Sequence, residues 1–339
     1  MAMRLSKRFL AIGTCAMIGL GVIGYDLSRL QSGLEAPSQD VVMRVYAQSE
    51  DFTPPPPIST YESADVAVTE DVTVRVYMRE NPSASSNLLL IHGAGGGAWA
   101  WEEVFDQLPG NHNLYALSWR GHFDSSPVQD ANSSDYVQDQ LAVLRWIQDR
   151  NALPVHAAGH SYGAATLVLM AAQDDVDLAS VQLLAPVVPL DYSLLQTALV
   201  PLIAPAFIGT ANEAEGVFGG MFLSEARMQH WYETYASQPF SEEKPGLIAG
   251  DGLSPRWQTT LEDAYRRLGE ENVPTTIVIA RYDNVVVPAR QRAAASLASA
   301  RVEELETGHY VQLGNLSQDI VNILWFELQP AQRQIALDS

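Results

Sequence analysis

The sequence predicts an α/β fold: a mostly parallel, doubly wound sheet with helices on both faces and an inserted, mainly helical cap. From residue 88 onward, short apolar runs typical of buried strands alternate with longer stretches of helical periodicity, which is the order of βαβ units. The alternation breaks off between about residues 190 and 271 and then resumes, which indicates an insertion. With 339 residues, of which 47% are hydrophobic, the chain can bury the core that such a fold requires.

Strands and helices are predicted in a regular order along the chain. Residues 65–68 and 72–77 are β-prone and predict an initial pair of strands, and the apolar run 88–91 predicts a strand buried on both faces. We expect Ser134 to cap the N-terminus of the helix that begins there. The further predicted strands are residues 114–119, 154–158, 181–188, 275–280 and 302–305, and the further predicted helices are residues 98–108, 134–149, 164–172, 289–298 and a closing helix that contains Ile320, Leu324 and Leu328.

The insertion at about residues 190–271 has a composition of its own. It begins with an apolar run over residues 194–208 that prolines interrupt, and it continues through a glycine-rich turn. An aromatic stretch of helical periodicity follows around Trp231. We interpret the insertion as a cap, in which the aromatic side chains either pack among themselves or contact a substrate.

Residues 1–30 are interpreted as a signal peptide or membrane anchor. Arg4, Lys7 and Arg8 precede an uncharged stretch over residues 9–25, which is the order of a basic head and an apolar body. If the stretch inserts, the basic residues favour keeping the N-terminus in the cytoplasm. We therefore expect an exported or anchored protein with the large domain on the non-cytoplasmic side, and membrane association through residues 9–25.

A linker and one large domain are predicted to follow. Residues 31–58 end in four consecutive prolines at positions 54–57, which favour an extended, semi-rigid spacer. One large domain is placed at residues 59–335, with the insertion inside it.

Charge and cysteine content exclude some classes of partner and site. The formal net charge is −20 and the chain has only two lysines, Lys7 and Lys244, so a nucleic-acid partner is excluded because it requires a basic face. Cys15 is the only cysteine, so no disulfide can form within the chain. No histidines and carboxylates show metal-ligand spacing, and the sequence predicts no metal site. Nothing in the sequence indicates the oligomeric state.

A glycine run at residues 93–98 matches the dinucleotide-binding fingerprint literally. A nucleotide site of this kind needs an acidic residue after the next strand to bind the ribose, but that strand ends at Ser118 and Trp119. We therefore predict that the protein has no cofactor.

The motif Gly159-His160-Ser161-Tyr162-Gly163 lies between a predicted strand and a predicted helix. A serine nucleophile needs its hydroxyl held out at a sharp strand-to-helix turn, and the flanking glycines leave room where a side chain would collide with a neighbouring element. Ser161 is therefore the candidate nucleophile. His160 is expected to line a pocket or to pack in the core.

A serine hydroxyl is a weak nucleophile at neutral pH, so it needs a histidine base and a carboxylate that orients that histidine. Asp283 follows the strand predicted at residues 275–280, and His309 lies between the last predicted strand and the closing helix. Both would emerge at the carboxyl edge of the sheet, where ligands bind in open α/β folds. Asp191, after the preceding strand, is an alternative acid.

From about residue 60 to 330 the chain resembles the α/β-hydrolase superfamily, in particular its serine-nucleophile branch of esterases and lipases with an inserted cap. The order Ser, Asp, His along the chain is the order of that superfamily. The resemblance rests on four motifs: the elbow at residues 159–163, His92-Gly93 after a buried strand, Arg120-Gly121-His122 after the next strand, and Gly308-His309 near the C-terminus.

The resemblance implies a role for each catalytic side chain. Ser161 would be the nucleophile, His309 the general base and Asp283 the partner of that base. The spacing departs from the family pattern at one point, because four residues separate Asp283 from Pro288 where about three are more usual. This departure weakens the assignment of Asp283. Asp191 stays open as the alternative acid because a carboxylate at the end of the neighbouring strand can serve the same histidine.

The resemblance also implies an oxyanion hole formed by the backbone N–H groups of Ala94 and Tyr162. Glycines around both donors would let the loops approach the substrate closely. These elbow and loop glycines are Gly93, Gly95, Gly159 and Gly163.

The function that the resemblance implies is hydrolysis of carboxylic esters through an acyl-enzyme on Ser161. The apolar run in the insertion suggests a small-molecule ester with a lipophilic moiety. Two alternatives stay open: a cofactor-free lyase or perhydrolase that uses the same three residues, and a non-catalytic ligand-binding protein of the same fold. Hydroxynitrile lyases of this superfamily are expected to carry a lysine beside the catalytic histidine, where this chain has Tyr310.

Overall fold

Strands and helices alternate in the described part of the chain in the predicted order. A computed structural model describes residues 52–128, 131–189, 225–236, 255–283, 285–314 and 316–329. The strands are β1 (Glu62–Ala67), β2 (Thr73–Arg79), β3 (Asn87–Ile91), β4 (Asn113–Leu117), β5 (Val155–His160), β6 (Ser180–Leu184), β7 (Thr275–Ala280) and β8 (Arg301–Leu305). The helices are α1 (Glu102–Gln107), α2 (Ser133–Arg150), α3 (Tyr162–Ala171), α4 (Glu225–Ala236), α5 (Pro255–Glu270), α6 (Pro288–Leu297) and α7 (Ser317–Glu327), with single 3₁₀ turns at Ile58–Thr60 and Ala98–Trp101.

One eight-stranded sheet organises these elements, with the strand order β1-β2-β4-β3-β5-β6-β7-β8. Strand β2 runs antiparallel to both β1 and β4, and every other neighbouring pair is parallel. The prediction of a mostly parallel sheet is therefore confirmed. Because β3 to β8 run in one direction, the loops that follow them meet at one edge of the sheet.

The two faces of the sheet bury separate layers of apolar side chains. Along β3, Leu89 and Ile91 belong to the layer that contains α2, α3 and α5, whereas Leu88 and Leu90 belong to the layer that contains α1 and α7. All four side chains are fully buried. A strand covered on both faces has no polar side, which explains why its sequence is a continuous apolar run. The doubly wound arrangement is confirmed.

Local structure explains two of the differences between the predicted and the observed ends of elements. The expectation that Ser134 caps α2 was wrong, because the cap is Asn132, whose side-chain oxygen accepts hydrogen bonds from the N–H groups of Ser134 and Asp135. The Asp135 carboxylate accepts the Asn132 N–H in return and completes a capping box. The strand predicted to reach residue 188 ends at Leu184, since Ala185 has φ 42°, outside the β region.

Helix α5 packs on the sheet, although the sequence placed it inside the insertion. Its residues Leu261, Tyr265 and Leu268 are fully buried in the same layer as α3. Helix α4 is the other described part of the insertion. Residues 190–224 and 237–254, which include the apolar run at 194–208, lie outside the described residues.

The end of the predicted linker contacts the domain. The Ile58 N–H donates to Glu102 Oε1 at 2.6 Å, and the Ile58 side chain is buried. The Arg227 guanidinium of α4 lies 4.3 Å from the centre of the Phe52 ring. Residues 52–58 therefore pack on α1 and α4.

The predicted N-terminal segment, residues 1–30 with its apolar stretch 9–25, lies outside the described residues, as do residues 31–51 of the linker. Within the described ranges, none of the helices has both the length and the apolar character needed to cross a bilayer.

Candidate active site

Ser161 occupies a sharp turn between β5 and α3. Its backbone has φ 53° and ψ −119°, which a non-glycine residue rarely adopts and which a nucleophile elbow requires. The turn is tied to β6, since the Ser161 N–H donates to the Leu184 carbonyl at 2.9 Å and the Ser161 carbonyl accepts from the Val187 N–H at 3.0 Å. These two bonds fix the serine at the carboxyl edge of the sheet.

Gly159 and Gly163 let this turn pack directly on neighbouring backbone. A Cβ at position 163 would lie 2.1 Å from the carbonyl oxygen of His92, and a Cβ at position 159 would lie 2.8 Å from the Cα of Ala164. A side chain can change rotamer to relieve a clash, but main-chain atoms cannot. Both positions therefore require glycine, as the sequence predicted.

The structure brings the three predicted side chains together. His309 Nε2 lies 2.8 Å from Ser161 Oγ, and His309 Nδ1 lies 2.8 Å from Asp283 Oδ2. All three residues are buried. When Nδ1–H donates to the carboxylate, the lone pair of Nε2 points at the serine hydroxyl, which is the arrangement of a nucleophile, a base and an orienting acid. The alternative acid, Asp191, lies outside the described residues.

Asp283 is held by hydrogen bonds to both of its oxygens. Oδ1 accepts from the backbone N–H groups of Val285 and Val286 at 2.8 and 2.9 Å. Oδ2 accepts from Gln291 Nε2 at 2.9 Å in addition to His309. The turn between Asp283 and α6, which carries one residue more than usual, thus supplies two donors that bind the carboxylate.

The loop that follows β3 lies against Ser161. A Cβ at Gly93 would lie 3.1 Å from the Ser161 Cβ, so the backbone of this loop approaches the nucleophile closely. The loop turns through a hydrogen bond from the Gly96 N–H to the Gly93 carbonyl, and Gly95 has φ 69°, in the left-handed region that favours glycine. Ala94, in the middle of this turn, is partly exposed.

Tyr162 follows Ser161 as the first residue of α3, so its backbone N–H lies at the N-terminal end of that helix. The Tyr162 side chain is buried, and its hydroxyl lies 2.8 Å from the Ser133 hydroxyl at the start of α2. The contact fixes the beginning of α3 against α2.

His92 connects the loops after β3 and β4. Its Nδ1–H donates to the Gly93 carbonyl at 2.7 Å, and its Nε2 accepts from the Trp119 N–H at 3.1 Å. Burial and the nearby His122 ring lower the pKa of His92 well below its ordinary value, so the ring is neutral and Nε2 can accept. The sequence singled out His92 only as part of a motif.

His160 was expected to line a pocket or to pack. It is 1% exposed, and its Nε2 lies 2.9 Å from the backbone carbonyl oxygen of His309. Packing is therefore only part of its environment, since it also bonds to the loop that carries His309.

The described residues contain no cluster of three or more His, Cys, Asp or Glu side chains arranged to hold a metal ion.

The chain matches a protein-family model over most of the domain and not only at the four motifs. The model of the alpha/beta hydrolase family matches residues 88–320, which is more than half of the chain. This chain belongs to the alpha/beta hydrolase family. Membership supports hydrolytic chemistry on a small-molecule substrate.

The chain is also similar to individual alpha/beta hydrolases and related proteins. The dihydrolipoyllysine-residue acetyltransferase component of the acetoin cleaving system from Cupriavidus necator is 26% identical in an alignment over 204 residues, which covers 52% of this chain and 54% of that protein. The chain thus spans about half the length of this curated relative.

Two solved structures share the fold. The haloalkane dehalogenase DatA from Agrobacterium tumefaciens C58 has 20% identity and a TM-score of 0.61, over 79% of this chain and 96% of that chain. The esterase EaEST from Exiguobacterium antarcticum has 15% identity and a TM-score of 0.62, over 79% and 99%. At these identities the likeness concerns the fold alone.

Proposed function

We propose that this alpha/beta hydrolase cleaves carboxylic esters through an acyl-enzyme on Ser161. The observation that carries the proposal is the pair of 2.8 Å contacts that link Ser161 Oγ to His309 Nε2 and His309 Nδ1 to Asp283 Oδ2. Family membership supports the hydrolytic class, and the fold shared with an esterase is compatible with it.

Acylation begins when His309 Nε2 takes the Ser161 hydroxyl proton as Oγ attacks the ester carbonyl carbon. Asp283 stabilises the imidazolium that forms and keeps its ring in place. The imidazolium then gives its proton to the departing alcohol, and the acyl group remains on Oγ. Deacylation repeats these steps with water as the nucleophile, and it releases the carboxylic acid.

The backbone N–H groups of Ala94 and Tyr162 are assigned as the donors that stabilise the negative charge developing on the carbonyl oxygen. The Tyr162 N–H lies at the N-terminus of α3, where the helix dipole favours negative charge, and the Ala94 loop lies against the Ser161 Cβ through Gly93. Each donor of this kind contributes roughly 3 kcal/mol to the stabilisation of a transition state.

A serine nucleophile favours attack on a carbonyl over displacement of a halide. Displacement at a saturated carbon would leave an alkyl ether on Oγ, and an ether has no carbonyl that water can attack. The enzyme would then be inactivated after a single reaction. An acyl-enzyme, in contrast, is an ester and can be hydrolysed by the same base.

The substrate is proposed to carry a lipophilic moiety, because the insertion between β6 and β7 contains the apolar run at residues 194–208. A series of nitrophenyl esters of increasing acyl length measures this preference. We expect kcat/KM to rise from the acetate to medium-chain esters, and a series in which the acetate is turned over best would contradict it.

The catalytic assignment is tested by Ser161→Ala with a nitrophenyl butyrate assay and a fluorophosphonate probe. We expect kcat to fall by roughly 10⁴-fold or more and labelling to disappear, since the nucleophile is removed. Unchanged turnover in the variant would refute an acyl-enzyme on this residue.

Ser180→Ala is the matched control. Ser180 is also buried, and its hydroxyl lies 2.6 Å from Nδ1 of His156, so the chain contains a second serine and histidine pair. That pair lies at the amino ends of β5 and β6, away from the catalytic edge. We expect Ser180→Ala to keep both turnover and labelling.

The wild-type enzyme and Ser161→Ala also test whether the protein is a perhydrolase rather than an esterase. If hydrogen peroxide replaces water in deacylation, the product is a peracid rather than an acid. Peracid formation that is faster than ester hydrolysis at low peroxide concentration would favour the perhydrolase. Both activities depend on Ser161, so we expect Ser161→Ala to abolish peracid formation and hydrolysis alike.

A further inference from the structure

The imidazole of His160 contacts the loop that carries His309. His160 is the last residue of β5 and precedes the nucleophile. Its Nε2 lies 2.9 Å from the backbone carbonyl oxygen of His309. A carbonyl oxygen only accepts, so Nε2 carries the hydrogen and donates it. The ring centre also lies 5.0 Å from that of His309 and 5.1 Å from that of Tyr310.

The same ring contacts the loop after β3. A Cβ at Gly93 would lie 2.8 Å from His160 Nδ1, so the glycine backbone packs directly on the ring. One side chain is thus in contact with the Gly93 loop and the His309 loop, and it is covalently adjacent to Ser161. These segments carry the proposed oxyanion donor, the base and the nucleophile.

His160 is neutral in this position. Burial lowers its pKa well below the ordinary value, and the nearby His309 ring lowers it further. A neutral ring beside His309 does not oppose the positive charge that His309 acquires when it takes the serine proton.

We propose that His160 is a positioning residue, whose Nε2–H bond to the His309 carbonyl holds the His309 imidazole within hydrogen-bond distance of Ser161 Oγ. The inference rests on the proposed function of Ser161 and His309. Apart from this bond, the described hydrogen bonds of His309 are made by its ring to Asp283 and Ser161 and by its carbonyl to the Val311 N–H. Loss of the His160 bond would leave a buried carbonyl with one donor fewer and the loop less restrained.

The test compares two variants of His160 whose side-chain amides differ in length. In His160→Gln the amide nitrogen lies the same number of bonds from Cα as Nε2 of histidine, so it can donate to the same carbonyl. In His160→Asn the amide ends at the level of Nδ1 and cannot reach. Small displacements of a catalytic group cost up to about 100-fold in rate.

We therefore expect kcat for nitrophenyl butyrate to stay within about threefold in His160→Gln and to fall about 30- to 100-fold in His160→Asn, with KM within about twofold in both. Rates are expressed per active site, counted by fluorophosphonate labelling. Equal losses in the two variants, or no loss in His160→Asn, would overturn the inference.

Proton NMR reports on the position of His309 in the absence of substrate. The proton shared between His309 Nδ1 and Asp283 gives a far-downfield ¹H resonance, which Asp283→Asn identifies by its loss. We expect this resonance to persist in His160→Gln and to shift or broaden in His160→Asn. An unchanged resonance in His160→Asn would also overturn the inference.

The histidine at the other end of β5 provides the control. His156 is buried, and its Nδ1 lies 2.6 Å from the Ser180 hydroxyl. We expect His156→Asn to lower the melting temperature as His160→Asn does, with kcat and the downfield resonance unchanged. Loss of activity in Ser161→Ala together with intact activity in His160→Asn would leave the proposed function standing and reject only the positioning role. Activity that survives in Ser161→Ala would reject the proposed function, and the resonance would still decide the role of His160.

Discussion

At the scale of single residues, the acid of the site depends on a glutamine as much as on the backbone. Gln291 is fully buried in α6, and its Nε2 donates to Asp283 Oδ2 at 2.9 Å and to the Val286 carbonyl at 2.7 Å. Both partners are acceptors, so the amide cannot be turned around without placing an oxygen against two oxygens. The Gln291 donor therefore has one possible orientation and fixes the carboxylate that orients His309.

Replacement of Gln291 by Met removes this donor and keeps the length of the side chain. A hydrogen bond to a charged group contributes about 1.5 to 3 kcal/mol, so we expect kcat to fall at least about tenfold with little change in KM. Gln291→Glu should lose more, since a second carboxylate would face Asp283. Steady-state ester hydrolysis per labelled active site measures both.

Gln140 offers a matched control for these variants. It is also fully buried, and its Nε2 donates to the Thr166 hydroxyl at 2.6 Å, between α2 and α3. Among the described residues, the amide oxygens of Gln140 and Gln291 both lack a hydrogen-bond partner. If Gln140→Met and Gln291→Met reduce kcat equally, the effect comes from lost stability and not from the orientation of Asp283.

The sequence alone does not predict the roles of residues that act through single tertiary contacts. Ser161, His309 and Asp283 follow from their types and from their places after strands, because the chemistry requires those groups at that edge. Gln291 and His160 act through single contacts across the fold, and their types alone permit many roles. A polar residue at the buried end of a strand, next to the nucleophile, is the one signal that could have drawn attention to His160.

At the scale of elements, helix α1 begins with two buried acids that meet the insertion. Glu103 forms an ion pair with Arg227 of α4 and a hydrogen bond with the Ser317 hydroxyl of α7. Trp231 of α4 donates from its indole nitrogen to the Leu313 carbonyl at 3.2 Å and packs on Trp99. These contacts attach α4 to the layer formed by α1 and α7.

Glu102, the other acid, makes the stability of this junction depend on pH. Burial raises the pKa of Glu102 from 4.5 to about 7, the Ile58 N–H lowers it and the Glu103 carboxylate raises it. Burial also lowers the pKa of His230, whose Nε2 lies 4.0 Å from Glu102, so at neutral pH this ring does not compensate the charge of Glu102. The charged form of Glu102 is therefore disfavoured in the folded protein.

Because the folded protein holds the Glu102 proton more tightly than the unfolded chain, this group stabilises the fold fully below pH 4.5. Its contribution is lost as the pH rises to about 7. We expect Glu102→Gln, which stays neutral and keeps the acceptor for Ile58, to gain up to roughly 3 kcal/mol of unfolding free energy over wild type between pH 4.5 and 8. Urea unfolding at both pH values measures it.

The control for this experiment is Glu70→Gln, since Glu70 is exposed. Its difference from wild type at the two pH values gives the baseline for an exposed carboxylate changed to an amide. If the difference for Glu102→Gln changes with pH no more than this baseline does, the Glu102 carboxyl is not held neutral in the folded protein.

At the scale of the whole molecule, the sequence predicted the fold better than the layout of the insertion. Alternating apolar runs and helical stretches are local patterns, and they placed every described strand within a few residues of its observed position. Helix α5 was assigned to the insertion because it follows the break in the pattern. Its packing on α3 is a long-range contact that periodicity does not report.

The N-terminal interpretation leads to a prediction about the intact chain. Removal of residues 1–30 should abolish export or membrane association and leave ester hydrolysis per active site within about twofold, because these residues precede the domain. Cell fractionation and N-terminal sequencing of the wild-type protein measure the first effect. Wild-type protein found entirely in the cytoplasmic fraction would contradict the interpretation.

A chain that begins at residue 59 provides the contrast. It lacks Ile58 and Phe52, which bond to Glu102 and lie against Arg227. We expect its melting temperature to be lower than that of the chain that begins at residue 31, since a buried side chain and two contacts are removed.

The main-chain contact between Gly163 and the carbonyl of His92 limits how the enzyme can change its substrate. Because backbone meets backbone there, the elbow and the loop after β3 cannot move apart to admit a larger acyl group without breaking the sheet that carries them. Laboratory selection for bulkier esters should therefore leave Gly159 and Gly163 unaltered and collect its substitutions outside the two glycine-rich turns.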